Sequence, residues 1–374
     1  MYVLNRFKSD LMSFVRNCTN QEVDIKLPST KQNVNGHIRF YIKTATTQDL
    51  QTLPEKIMEM FNIVERCSMV QCYVLIWLRK ELWTTCVVNE ILQYGSKYGT
   101  NNDYNGTLIT LAKESNDDSV TSLRVCLLQN AVQKLAEANG CVVGSNGLDL
   151  VVSKKNRLKR DKNVILCGNV VYENTQSDYK QQRTNNVAKM SASRIDDYPK
   201  DVISKLCDVS IVYELLNVRH NKTVNADCDI ANKDNGIFVM YNYSRLCQIW
   251  TAYEKGVADE YYDSLAAPST IDFGVLRSNE EWFLIHNFLG TYPQVVRDSA
   301  KYLMSASVDV HRLCKFLSEM SSAVSLFYHR QRVLCDPLPC LLPVMYARLY
   351  LIKAAIQVYD NVFDLLDVRS VREM

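Results

Sequence analysis

The C-terminal part of the chain repeats apolar residues at helical spacing. In "VDVHRLCKFLSEMSSAVSLFYH", Leu313, Phe316, Leu317, Met320, Val324 and Phe327 recur at three- and four-residue intervals, which gathers them on one helix face. "VMYARLYLIKAAIQVYDNVFDLL" does the same with Leu349, Ile352, Ile356, Tyr359 and Phe363. Pro337, Pro339 and Pro343 stand between them and forbid one continuous helix, so the pattern predicts two helices lying antiparallel in a bundle. From about Val202 onward the helical pattern dominates. Upstream the period changes. "VQCYVLIWL" reads as a strand, "NEILQYGSKYG" as a helix and "GTLITLAKE" as a second strand. "SVTSLRVCLLQNAVQKLAEANG" reads as a helix stopped by Gly140, and "CVVGSNGLDLVV" as a strand or hairpin. Such alternation predicts an α/β layer. Residues 1–68 have helix-like ends around a polar middle and read as a small α/β lobe; 69–170 form the α/β domain, 171–200 a polar linker and 201–374 the helical domain.

Composition narrows this picture. Only 12 glycines and 8 prolines argue for long elements rather than a loop-rich sandwich. The formal net charge of +2 exerts no global pull on nucleic acid, so any such binding must come from local patches. The 13 cysteines are scattered, with Cys335 and Cys340 in "CDPLPC" the one close pair in a loop-like context and no CxxC, so no zinc site is expected. An odd count, with a charged amphipathic "MYVLNRFKSDLMSFVRN" rather than a secretory leader, reads as reduced thiols in the cytoplasm. The longest apolar run, Met69 to Leu78, is too short to span a bilayer, and no membrane association is expected.

Several segments resemble the DALR anticodon-binding domain of arginyl-tRNA synthetases. "VSIVYELLNVRHNKT" is similar to the segment that opens that domain, and "FVMYNYSRL" to its Tyr-rich helix, with Phe238, Tyr241 and Arg245 on matching positions. "HRLCKFLSEMSSAVSLFYHRQRVL" and "YARLYLIKAAIQVYDNVFDLLDV" resemble its later helices. Farther upstream, "YGTNNDYNGTLITLAKESNDDSVTSLRVCLLQNAVQKLAEANG" resembles the first strand and helix of a class I synthetase Rossmann domain. There a His-x-Gly-His signature should precede Leu-Arg; Ser119, Val120, Thr121 and Ser122 stand before Leu123 and Arg124 instead. "KMSAS" (Lys189 to Ser193) resembles the second signature, with Ala192 in place of its second lysine. Too few residues separate the two positions to complete a nucleotide-binding sheet. The implied fold is α+β: a degenerate, truncated Rossmann-like α/β N-terminal region followed by an all-α DALR anticodon-binding helical bundle. "LCGNVV", "GIFVMYNYSRL" and "STIDFGVLRSNEEWFLIHNFL" further resemble a catalytically dead group of DALR-domain proteins. That resemblance implies recognition of arginine tRNAs and their delivery to a partner of the methyltransferase-like family, which forms 3-methylcytidine in the anticodon loop.

Candidate tRNA contacts follow, each with a competing structural reading. The run Lys154, Lys155, Arg157, Lys159, Arg160 and Lys162 would clamp phosphates, or be a solvated loop. Tyr328 would stack on an unpaired base while Arg330 meets a phosphate or base edge, or the pair is a packed Tyr with a surface Arg. Tyr241 and Arg245 lie four apart on one helix face, where Tyr241 also suits the core. Arg312 and Lys315 point the same way from one helix, as a solvated face also would, and Arg348 suits a salt bridge equally well. Independent catalysis finds no support. "GCVVGSNG" is the only glycine cluster and follows a helix, whereas a methyltransferase needs a Gly-rich turn after its first strand. His37, His220, His286, His311 and His329 are dispersed, with no nucleophile motif or metal spacing, so no cofactor is expected. The alternative to an RNA adaptor is a protein-binding scaffold that has lost RNA contact. From Asp272 to Met374, Lys/Arg and Asp/Glu number eleven each, which favours the scaffold modestly.

Overall fold

The computed structural model describes residues 2–27, 36–43, 52–112, 117–154, 163–192, 199–226 and 235–374. They fall into two compact units, each assembled from separated stretches of chain. The first comprises residues 1–93, 265–291 and 335–351; the second comprises 94–264, 292–334 and 352–374.

The first unit opens with α1 (Val3–Thr19), whose Leu4, Phe7, Leu11 and Val15 form one buried stripe. Strands β1 (Ile38–Tyr41), β2 (Val64–Val70) and β3 (Tyr73–Leu78) make an antiparallel sheet in the order β1-β3-β2, and α2 (Leu53–Met60) leads into β2. Ile38, Phe40, Val74, Ile76 and Leu78 fill its buried face. The run from Met69 to Leu78, expected as one strand, is two. Gln71 adopts φ 57 and turns the chain, so that Val70 pairs with Tyr73 in a hairpin. Helix α3 (Lys80–Tyr94) carries the buried Trp83. A capping box at Ser278 and Glu281 starts α8 (Asn279–Leu284), which continues into a π turn over Ile285–Leu289. Trp282 and His286 stack at 5.0 Å, and the His37 ring lies 4.8 Å from Trp282. His37 Nδ1 accepts the Leu78 N–H at 2.8 Å. Burial, the nearby His286 and Lys80 push the His37 pKa down to about 3; burial lowers that of His286 to about 4.

In the second unit, β4 (Leu108–Ala112), β5 (Val142–Val143), β6 (Leu148–Ser153) and β7 (Val164–Leu166) form a wholly parallel sheet, in the order β5-β4-β6-β7. The "CVVGSNGLDLVV" segment is therefore no hairpin, since β5 and β6 flank β4 on opposite sides. Helix α4 (Val120–Ala138) supplies the crossover between β4 and β5. Its Arg124 is fully buried, and among the described residues no carboxylate pairs with it. It donates to the carbonyls of Leu215, Gly168, Lys222 and Arg219 at 2.6–3.2 Å. Gly168 lies so close to the Lys222 backbone that a Cβ would overlap it. The short strands β8 (Val170–Val171) and β9 (Val224–Asn225) pair in parallel.

The polar segment expected as a linker contains a helix instead, α5 (Gln176–Ala192). Its apolar content is low, but Tyr179, Arg183 and Val187 recur at four-residue spacing and are buried against α6 (Lys200–Leu216). Tyr179 and Arg183 each bond Glu214 of α6, at 2.5 Å. Helices α7 (Asn235–Ala258), α9 (Tyr292–Ala300), α10 (His311–Arg330) and the later part of α11 (Leu342–Leu365) complete the bundle. Tyr243 of α7 donates to Asp360 Oδ1 at 2.7 Å, and Ser321 of α10 meets the Tyr359 hydroxyl at 2.8 Å. The segment after α11 lies along α7, where Ser244 donates to the Val371 carbonyl at 2.5 Å.

Candidate nucleic-acid interface

Helix periodicity puts Tyr241 and Arg245 on one face of α7, and the last turn of α10 brings Tyr328 to the same place. The Arg245 guanidinium lies 4.1 Å from the Tyr241 ring centroid and 4.7 Å from that of Tyr328. Its Nη2 also donates to the Tyr241 hydroxyl at 2.6 Å. The guanidinium is planar and delocalised, so it can meet two ring faces, each contact contributing roughly 0.5–2 kcal/mol. Tyr328 remains 42% exposed, and Tyr241 and Arg245 are half-buried. The result is a Tyr–Arg–Tyr platform that offers solvent an aromatic ring and a cation together. Phe238, 38% exposed and three residues before Tyr241, adds an apolar surface one turn away. His329 and Arg330 are exposed at the same helix end, where the Arg330 charge also suits the helix dipole.

The other candidates are placed differently. Arg312 pairs with Asp309 at 3.3 Å and Asp298 at 3.8 Å, and Lys315 with Glu319 at 3.8 Å, forming a charge-balanced face. Arg348 bonds Glu281 Oε1 at 2.7 Å; because that carboxylate is 1% exposed, Arg348 takes the structural alternative of the two readings. Lys154 is tied to Asp117 and, at 3.3 Å, to Ser122 Oγ, so this member of the basic run braces the start of α4. Lys155, Arg157, Lys159, Arg160 and Lys162 lie outside the described residues.

The start of α4 holds Ser119 to Ser122, the segment set beside the first synthetase signature on sequence. Ser119 caps the helix by accepting the Ser122 N–H at 3.2 Å. Asp117 accepts from both serine hydroxyls. Lys154 foremost, with Ser119 and Ser122, holds the Asp117 carboxyl well below the usual range. These four side chains are engaged with one another. Of "KMSAS", Lys189 to Ala192 lie in the last turn of α5 and Ser193 lies outside the described residues.

A pairing that sequence reading missed is Lys353 with Trp250. The Lys353 Nζ sits 4.9 Å from the Trp250 ring, whose Nε1 donates to Glu254 at 2.7 Å. Among the described residues, no group of three or more His, Cys, Asp or Glu could hold a metal ion. No described helix is long and apolar enough to cross a membrane.

Residues 239–374 match the family model for the DALR anticodon binding domain. The platform lies inside that match. Over 231 residues, the chain is 28% identical to a DALR anticodon-binding domain-containing protein 3 of Danio rerio, covering 56% of this chain and 41% of the relative. It is also 28% identical over 158 residues to an arginine–tRNA ligase of Desulfitobacterium hafniense, covering 41% of this chain and 26% of the ligase. The chain therefore spans well under half of each of these relatives. Its fold matches that of a Thermus thermophilus arginyl-tRNA synthetase with a TM-score of 0.69, at 10% identity and complete coverage of both chains. The architecture is that of an arginyl-tRNA synthetase: a mixed α/β region, then an all-helical DALR bundle.

Proposed function

We propose that this chain is a non-catalytic tRNA-binding adaptor that recognises arginine tRNAs and presents them to a partner methyltransferase forming 3-methylcytidine in the anticodon loop. The supporting observation is the Tyr241–Arg245–Tyr328 platform within the DALR match. Unpaired loop bases are recognised by stacking on aromatic rings and guanidinium planes, and phosphates by neighbouring cations. The α4 N-terminus supports the non-catalytic part, because Ser119, Ser122, Asp117 and Lys154 satisfy one another there. Similarity to a DALR anticodon-binding domain-containing protein 3 and to arginine–tRNA ligases supports the choice of RNA.

The scaffold reading draws on the charge-balanced α10 face at Arg312 and Lys315. Purified protein mixed with total cellular tRNA, washed and sequenced, separates the two. Enrichment of arginine isoacceptors without ATP-dependent charging is the expected result. Absence of tRNA retention favours the scaffold, and aminoacylation by the pure chain contradicts the adaptor.

A further inference from the structure

Four rings pack together in the first unit: His37 just ahead of β1, Trp83 of α3, Trp282 of α8 and His286 of the π turn that follows it. The contacting centroids lie 4.8–5.8 Å apart, and all four residues are at most 4% exposed. Hydrogen bonds fix where each imidazole carries its proton. His286 Nε2 faces the His37 carbonyl at 3.3 Å; a carbonyl only accepts, so Nε2 holds the hydrogen and Nδ1 is bare. His37 Nδ1 accepts the Leu78 N–H at 2.8 Å, so its hydrogen is on Nε2. Among the described residues, His286 Nδ1, His37 Nε2 and both indole nitrogens have no hydrogen-bond partner. A second proton on either ring conflicts with this packing. On His37 it must take Nδ1, where it meets the Leu78 N–H donor to donor and breaks that bond. On His286 it must take Nδ1, which has no acceptor, in a ring stacked on Trp282. The surrounding charges give no relief. Lys80 of α3, with Nζ 5.5 Å from the Trp282 ring, repels a charged His37. On α8, the Glu281 carboxylate is already engaged by Arg348 at 2.7 Å and by the Ser278 N–H at 2.9 Å.

We propose that this cluster is a proton-operated catch: a proton on either imidazole releases the His37 segment and the π turn after α8 from β3, while the second unit stays folded. Two bonds hold His37 to β3, its N–H to the Ile76 carbonyl and the Leu78 N–H to its ring, and protonation removes the second. His286 lies in a π turn, a backbone form concentrated at functional sites. The second unit has no such conflict. His220 Nε2 faces the Ser307 hydroxyl at 3.5 Å, His311 Nδ1 lies 3.7 Å from Asp309, and His329 is exposed. Each of these has an acceptor or water for a second proton. The closed rings take protons only near pH 3 and pH 4, the released rings near the ordinary 6.5. Release therefore grows as pH falls below 6.5, by at most about tenfold per pH unit for each histidine. The catch does not depend on the RNA reading.

Hydrogen–deuterium exchange of the full chain, read by peptide mass spectrometry at about pH 7 and about pH 5 with labelling times corrected for intrinsic exchange, tests the catch. Peptides spanning residues 36–41, 73–80 and 279–290 should lose about tenfold or more of their protection relative to peptides of α10. The control is the double variant His37→Asn, His286→Gln. Its Asn oxygen can accept the Leu78 N–H, its Gln nitrogen can donate to the carbonyl of residue 37, and neither side chain titrates. In that variant the ratio of first-unit to α10 protection should be the same at both pH values. Equal loss in both units, no loss at all, or a selective loss that the double variant shares overturns the catch. If the double variant does not fold, the wild-type comparison decides: selective loss in the three peptides supports the catch, and equal or absent loss overturns it.

Discussion

Arg245 joins two tyrosines that sequence spacing treats unequally. Tyr241 is four residues away on the same helix and was open to inspection; Tyr328 is on another helix, and only tertiary packing delivers it. The sequence-based pairing of Tyr328 with Arg330 rested on adjacency, whereas the ring of Tyr328 faces Arg245. Replacing Arg245 by Ala should weaken RNA binding roughly tenfold, from the loss of a cation and of ring alignment. Global stability should change by less than about 1 kcal/mol, since the side chain is only half-buried. Filter binding and urea unfolding of the same preparation check both halves. Arg348→Ala should behave inversely: it strands the buried Glu281 carboxylate and costs roughly 3 kcal/mol of stability, while RNA binding is retained. In the sequence, Arg124 stands only as the residue after Leu123 in the signature resemblance, with no pattern to mark it as buried. Its four carbonyl bonds instead pin the end of α6 and the loops around β8 and β9. Arg124→Met should therefore destabilise the fold by about 3 kcal/mol or more, read as a lower urea midpoint.

At the scale of elements, the long helices were legible because their apolar faces repeat. Leu313, Phe316, Leu317, Met320, Val324 and Phe327 of α10 are all buried, as are Leu349, Ile352, Tyr359 and Phe363 of α11, whereas Ile356 is half-buried. Helix α5 was not legible, because its buried face is carried by Tyr179, Arg183 and Val187 in a polar sequence and closed by Glu214 of another helix. The hairpin between β2 and β3 was hidden because Gln71 takes a left-handed conformation without a glycine to announce it. The α8 region gives a pH prediction. His37 and His286 have folded pKa values of about 3 and about 4, below the ordinary 6.5. Between those values and 6.5 the unfolded chain binds more protons than the folded one. Stability from the neutral imidazoles is thus complete above pH 6.5 and is lost as pH falls toward 4. Each histidine contributes a slope of at most about 1.4 kcal/mol per pH unit. Urea unfolding from pH 7 to 4.5 should show this decline, and His286→Phe should make it shallower; a flat profile contradicts the assignment.

At the scale of the whole chain, the two units interleave in sequence, and no reading of contiguous segments anticipates that. The expected boundary between residues 68 and 69 falls inside β2, and α11 contributes to both units. The α+β class and the helical bundle were nevertheless readable, because class depends on period and order rather than on which stretches pack together. The weak net charge of +2 means that RNA affinity must be local, concentrated at few contacts. Phosphate contacts release counterions, so even a small set leaves a salt signature. The most direct measurement is the affinity of the purified chain for an arginine-tRNA anticodon stem-loop across about 50 to about 200 mM salt, for wild type and Arg245→Ala. An adaptor reading the loop through the platform should bind the stem-loop in preference to a scrambled loop. Its affinity should fall severalfold across that range, with Arg245→Ala weaker throughout and shallower in its salt dependence. Binding that ignores loop sequence, salt and Arg245 alike would contradict it.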